Sequence, residues 1–156
     1  HLPAVLVGRG QGRRLLGREP PGLGVGAWTQ SRIVGSDHTP RRLQVSGVSN
    51  LADASFSYSD REGWAGRTAT GFDELVSAVW RTRAYGDFYS HLLVAEGAVD
   101  IAAEPELSAW AIAALIPIIT EAGGAVTGYD GSDALTANGA FTTNGLLHQA
   151  VKDCWV

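Results

Sequence analysis

Apolar positions along the 156-residue chain change period several times, and each change predicts an element. "GFDELVSAVWR" sets Phe72, Leu75, Val76, Val79 and Trp80 at i, i+3, i+4, i+7 and i+8, the spacing of an amphipathic helix. Thr70 and Asp73 are placed to cap it as a box. "RRLQVS" and "ADASFSYS" alternate instead, which predicts two short strands around a turn at Gly47 to Asn50. "TRAY" reads as a short strand, "GDFYSHLLVAEG" as a helix ending at Gly97, and "AVDIAAE" as a buried strand ending in a carboxylate. "LSAWAIAALIPIITEAGG" has hardly a polar side chain before Thr120, so its helix is expected to be a buried layer covered on nearly every side. Ser108 is its N-cap, and Gly123-Gly124 stop it near Ala122. A bend is expected at Pro117. "AVTGYDG" predicts a strand and turn, followed by short strands near Leu135 and Phe141. Asn144 should cap a last helix with Leu147, Ala150, Val151, Cys154 and Trp155 on one face. Strands alternating with helices predict an α/β layered domain.

Composition sharpens this picture in few places. With 45% apolar and 18% charged residues, the chain has the texture of one soluble globular domain, and its longest apolar helix falls short of the roughly 20 residues that a bilayer requires. Charge is divided unevenly: residues 1–42 carry a net of +5 and residues 43–156 a net of −9. The basic Gly/Arg/Pro-rich segment 1–21 reads as a solvated, poorly ordered arm ahead of a domain at 22–156. It lacks the interleaved aromatics of a nucleic-acid module, so no nucleic-acid partner is expected. Gly8, Gly10 and Gly12 do not have phosphate-loop spacing, and Lys152 is the only lysine. Cys154 is the only cysteine, which excludes an internal disulfide and makes cytoplasm the default location. A chain that opens with His1 and has no methionine is expected to be part of a longer product, and no signal peptide is recognisable.

The stretch "YGDFYSHLLVAEGAVDIAAEPELSAWAIAALIPIITEAGG" carries the chemistry. Trp110-Ala111-Ile112-Ala113-Ala114 and Glu121-Ala122-Gly123-Gly124 match a W-D-x-A-A signature followed by an apolar helix ending E-A-G-G. With "GVGAW" upstream, the chain from about Gly22 to the C-terminal helix resembles the second half of the inositol monophosphatase superfamily. Within that superfamily it is most similar to bacterial histidinol-phosphate phosphatases. The resemblance implies a mixed sheet flanked by helices, the C-terminal half of that family's sandwich. It also implies hydrolysis of a small-molecule phosphate ester with Mg2+ as cofactor, and a homodimer.

Ala111 stands where the family has a magnesium-binding aspartate. A methyl group cannot coordinate a hard cation, which takes oxygen ligands. The family's acidic pair and D-P-x-D-G-T loop are not found in these residues, so the resemblance implies a companion N-terminal half or second chain that supplies them.

Three residues are candidates for substrate binding: Asp87, Glu104 and Arg83. Glu104 ends a buried strand seven residues before Ala111 and matches a family position that contacts substrate. Asp87 follows Gly86 where inositol phosphatases have small residues that make room for a hydroxylated ring. A carboxylate there suits an ammonium group, which favours histidinol phosphate over a cyclitol phosphate, although the residue type also suits a helix cap. Arg83 reads equally well as a phosphate-steering residue and as a solvated edge. His91 reads as a surface or partly packed residue, and Asp130 and His148 as turn and helix-surface residues. The leading expectation is half of a histidinol-phosphate phosphatase, inactive alone. Inositol monophosphate as substrate, and a non-catalytic pseudoenzyme or oligomerisation domain, are the alternatives.

Overall fold

The computed structural model describes residues 32–34, 40–64 and 69–155; the arm at 1–21 lies outside them. Five strands form one mixed sheet in the order β4-β3-β5-β7-β6. These are β3 (Ser55–Ser57), β4 (Arg81–Arg83), β5 (Ile101–Glu104), β6 (Ala125–Thr127) and β7 (Ala140–Thr143). β3 runs parallel to both β4 and β5, whereas β7 runs antiparallel to β5 and β6. The parallel pairs are joined through α1 (Ala69–Ala78) and α2 (Asp87–Ala95), and α3 (Ala109–Glu121) and α4 (His148–Asp153) complete the layers. A separate antiparallel pair, β1 (Arg32–Val34) with β2 (Pro40–Arg42), precedes the sheet.

Alternation along β5 decides which layer each residue feeds. Ile101 and Ala103 join Phe56, Phe72, Leu75, Phe141, Leu147 and Val151 in a core with α1 and α4, whereas Ala102 packs with Val94 of α2. Leu92 and Ala95 of α2 share a further core with Ile112, Leu115, Ile118 and Ile119 of α3. The sheet is therefore covered by helices on both faces, as the alternating pattern implied.

Both inner helices end as their glycines dictate. Gly97 (φ +73°) donates to Val94 and Ala98 to Leu93; Gly123 (φ +94°) donates to Thr120 and Gly124 to Ile119. Each pair of bonds satisfies carbonyls left open by the last turn.

Several expectations are corrected. "RRLQVS" is a strand only at its start; Leu43 enters the core and Val45 donates to the Ala122 carbonyl (3.1 Å), so the segment is held by core packing and single bonds instead of a ladder. No strand forms near Leu135, because the Asp133 side chain accepts the Leu135 N–H (2.9 Å) and fixes a turn. Thr70 lies inside α1, not at its cap, and Asp73 pairs with Arg61 (2.6 Å). Trp80 lies past the helix end, 63% exposed, with the Arg81 guanidinium over its ring. Ser108 has the extended backbone of an N-cap but makes no side-chain capping bond. Asn144 does accept the Leu147 N–H (3.2 Å) ahead of α4, while Ala150 faces solvent. α3 is not covered all round: Ala109, Trp110, Ala113 and Ala114 are exposed, since α2 and β6 cover only its other face.

Candidate functional site

Because β3, β4 and β5 run parallel, their carboxyl ends open on one edge of the sheet, the place where α/β folds gather chemistry. The turns that leave them approach closely. A Cβ on Gly86 would lie 3.7 Å from the Ser59 Cα, and one on Gly63 would lie 3.0 Å from the Pro105 ring.

Glu104, the last residue of β5, is 3% exposed, and its Oε1 has no hydrogen-bond partner. Burial pushes its carboxyl up to about 7; the negative charges of Asp87 and Asp60 add to the rise, against the Ser59 hydroxyl and the Asp87 backbone N–H, which favour the ionised form. The Glu104 backbone is pinned as well. Tyr129 Oη donates to its carbonyl (2.5 Å) and to that of Ala140 (3.2 Å), which fixes the antiparallel neighbours β5 and β7 at this end. Burial and the nearby Glu104 push the Tyr129 hydroxyl upward, so it stays a donor.

Asp87 reaches the same place at a conformational cost. It has φ +49° and follows Gly86 at φ +84°, a left-handed step that costs a non-glycine residue about 1 kcal/mol or more. The Asp87 N–H then reaches the Glu104 carboxylate, with the Asp87 charge close enough to act on it. The structure thus brings together Glu104 and Asp87, with Ser59 and Asp60, which sequence reasoning passed over. Their signal was the "YSD" that directly follows β3, interpretable only once β3 is known to lie beside β5. Arg83 sits on the edge strand β4, donates from Nη1 to the Thr82 carbonyl (2.8 Å), and lines a cleft of about 210 Å³ with Arg81, Tyr85 and Tyr89.

Other residues take structural places. His91, expected near the surface, is fully buried, because α2 turns Ser90, His91 and Leu92 inward; its Nδ1 meets Thr142 Oγ1 at 2.7 Å, and Nε2 has no partner. Burial lowers its pKa to about 4. His148 is half-buried, not on the helix surface: it bridges Thr127 and Thr143 (both 3.1 Å) and stacks on Phe141. Asp130 is an exposed turn residue that accepts the Ser132 N–H (2.9 Å). Asp100, unremarked in the sequence, is buried and accepts from Ser46 Oγ (2.5 Å), Ser55 N–H (2.6 Å) and Ser55 Oγ (2.8 Å).

Residues 22–155 match the model of the inositol monophosphatase family. The chain belongs to that family. A histidinol-phosphatase of Streptomyces coelicolor is 53% identical over 125 residues, 79% of this chain and 45% of that protein. One of Mycobacterium tuberculosis is 52% identical over 113 residues, covering 72% and 44%. An inositol monophosphatase structure from Thermotoga maritima superimposes with a TM-score of 0.65 at 23% identity, over 80% of this chain and 50% of that one, a likeness of fold alone. The chain spans about half the length of the curated relatives it matches. Among the described residues, no three His, Cys, Asp or Glu side chains are grouped to hold a metal ion. Ala111, where the resemblance would place the family's aspartate, is partly exposed in the first turn of α3, and its methyl offers no oxygen to a cation. These residues do not fit magnesium.

Proposed function

We propose that the chain is the substrate-recognition half of a phosphomonoesterase acting on histidinol phosphate. The observation that carries the reading is the cluster of acids at the strand ends: buried Glu104 with an unpartnered oxygen, beside Asp87. Such a cluster is suited to an ammonium group, which histidinol phosphate has and a cyclitol phosphate lacks, and the histidinol-phosphatase relatives support it. Glu104 and Asp87 would hold the amino end of the substrate, and Arg83, near the same strand ends, would steer the phosphate.

Magnesium would supply neutralisation of the phosphoryl oxygens and an acidified water; its carboxylate ligands would come from the remainder of a longer protein or from a second chain. The same reading makes the protein a cytoplasmic homodimer. Ala111 favours a second reading, a pseudoenzyme half that binds without turnover.

The test measures phosphate release from histidinol phosphate and from inositol monophosphate over a range of magnesium. It compares the chain alone with the chain fused behind the N-terminal half of the Streptomyces coelicolor relative, each with and without Ala111→Asp. The chain alone should release nothing above background. Disturbing only the partners of metal ligands costs roughly 10–100-fold, so losing ligands outright should cost at least that. In the fusion, Ala111→Asp should raise turnover and magnesium affinity together, with histidinol phosphate preferred. No recovery would support the pseudoenzyme reading, and preference for inositol monophosphate would remove the role of Asp87.

A further inference from the structure

Glu104 is placed where an ionised carboxylate is poorly supported. It is 3% exposed, Oε1 receives no hydrogen bond, and the two charged neighbours that act on it are both acids, Asp87 and Asp60. The remaining groups facing it are the Ser59 hydroxyl from the β3 turn, the Asp87 N–H from α2 and Tyr129, whose hydroxyl is spent on the Glu104 backbone carbonyl. A buried charge without a counter-charge is costly, and the group neutralises instead. A metal ion is not the natural relief, since these acids do not form a metal-holding group. A primary ammonium is: it brings N–H donors for the orphaned oxygen and one positive charge to a carboxyl whose charged neighbours are both acids.

Resting on that reading of the site, we propose that a ligand's ammonium seated between Glu104 and Asp87 displaces a proton from the Glu104 carboxyl, so that binding exchanges one proton for one cation. The O–H bond of the carboxylic acid breaks, the carboxylate keeps the electron pair, and the proton passes to the buffer. A ligand with hydroxyls alone supplies no charge, and Glu104 stays protonated beneath it. The site thereby selects amino alcohols over polyols, and its affinity for them rises with pH.

Calorimetric titration of the chain with L-histidinol, in buffers of differing ionisation enthalpy, counts the protons. An acid that titrates at about 7 should release about 0.9 proton at pH 6 and about 0.1 at pH 8, beyond any release seen with the des-amino alcohol, which keeps the imidazole. Glu104→Gln should abolish that excess. A carbon-13 titration of the Glu104 carboxyl in the free chain needs no ligand and should show it protonated at pH 6. Binding with no excess release, or a Glu104 signal already ionised at pH 6, overturns the exchange and leaves the substrate reading standing. Failure of histidinol to bind at all overturns both.

Discussion

His91 and Glu104 are two buried titratable residues on the same side of the sheet, and burial moves them in ways that oppose each other in the pH dependence of stability. The His91 pKa falls from 6.5 to about 4, so the unfolded chain binds the extra proton between those values and stability is lost as pH falls through that window. At 1.36 kcal/mol per unit, the full loss is about 3 kcal/mol. Glu104, raised to about 7, acts with the opposite sign: its contribution is complete below about 4.5 and is lost as pH rises toward 7. Substitution separates them. Urea unfolding of the native chain and of His91→Gln, followed from pH 7 to pH 4, should show the native chain losing up to about 3 kcal/mol more than the variant. Parallel curves would mean that His91 is not held neutral by the core.

Among the elements, the ends of α2 and α3 allow a matched comparison. Both stop on a left-handed glycine, but their surroundings differ. A Cβ on Gly123 would meet only Val45 Cγ2 at 3.5 Å, whereas one on Gly97 would lie 2.7 Å from the Gln44 carbonyl oxygen. Gly123→Ala should therefore cost the conformational term alone, about 1–2 kcal/mol, and Gly97→Ala clearly more, because the backbone at Gln44 must also move. Equal losses in thermal or urea unfolding would show that the approach of the 43–50 segment to α2 is loose. These stops were legible in the sequence, because a left-handed turn requirement is local and glycine meets it. The strand expected near Leu135 was not, since an aspartate side chain two residues earlier captured the backbone.

For the whole molecule, the outer face of α3 is the unusual surface. Trp110 is 81% exposed and lies beside exposed Ala109, Ala113 and Ala114; Tyr85, Phe88 and Tyr89 are exposed near the start of α2. An apolar face of this kind on a chain that spans about half of its relatives is expected to associate. Analytical ultracentrifugation should show association that grows with concentration and weakens in Trp110→Ser. A monomer at high concentration would argue that the face is tolerated in water. The inner side, by contrast, is tied together by polar bonds. Asp100 joins Ser46 and Ser55, and Asn144 Nδ2 donates to Ser46 Oγ (2.9 Å) and the Val48 carbonyl (2.7 Å), linking β5, β3, the 43–50 segment and the approach to α4.

Periodicity, helix stops and the Trp110 to Gly124 signature were determined by the sequence alone, because each depends on neighbours within a few turns of chain. So was the identity of position 111, a methyl where the resemblance expects a carboxylate. Tertiary structure decided the rest. His91 is buried because α2 lies against β7, Glu104 lost its water because β5 lies at the centre of the sheet, and Asp87, Asp60 and Ser59 came to it only through the parallel pairing of β3 with both β4 and β5. The coverage of α3 was decided in the same way: its composition is apolar on nearly every side, but which side is packed depends on where α2 and β6 stand. Burial and charge proximity are sums over residues distant in the chain, and no local pattern encodes them.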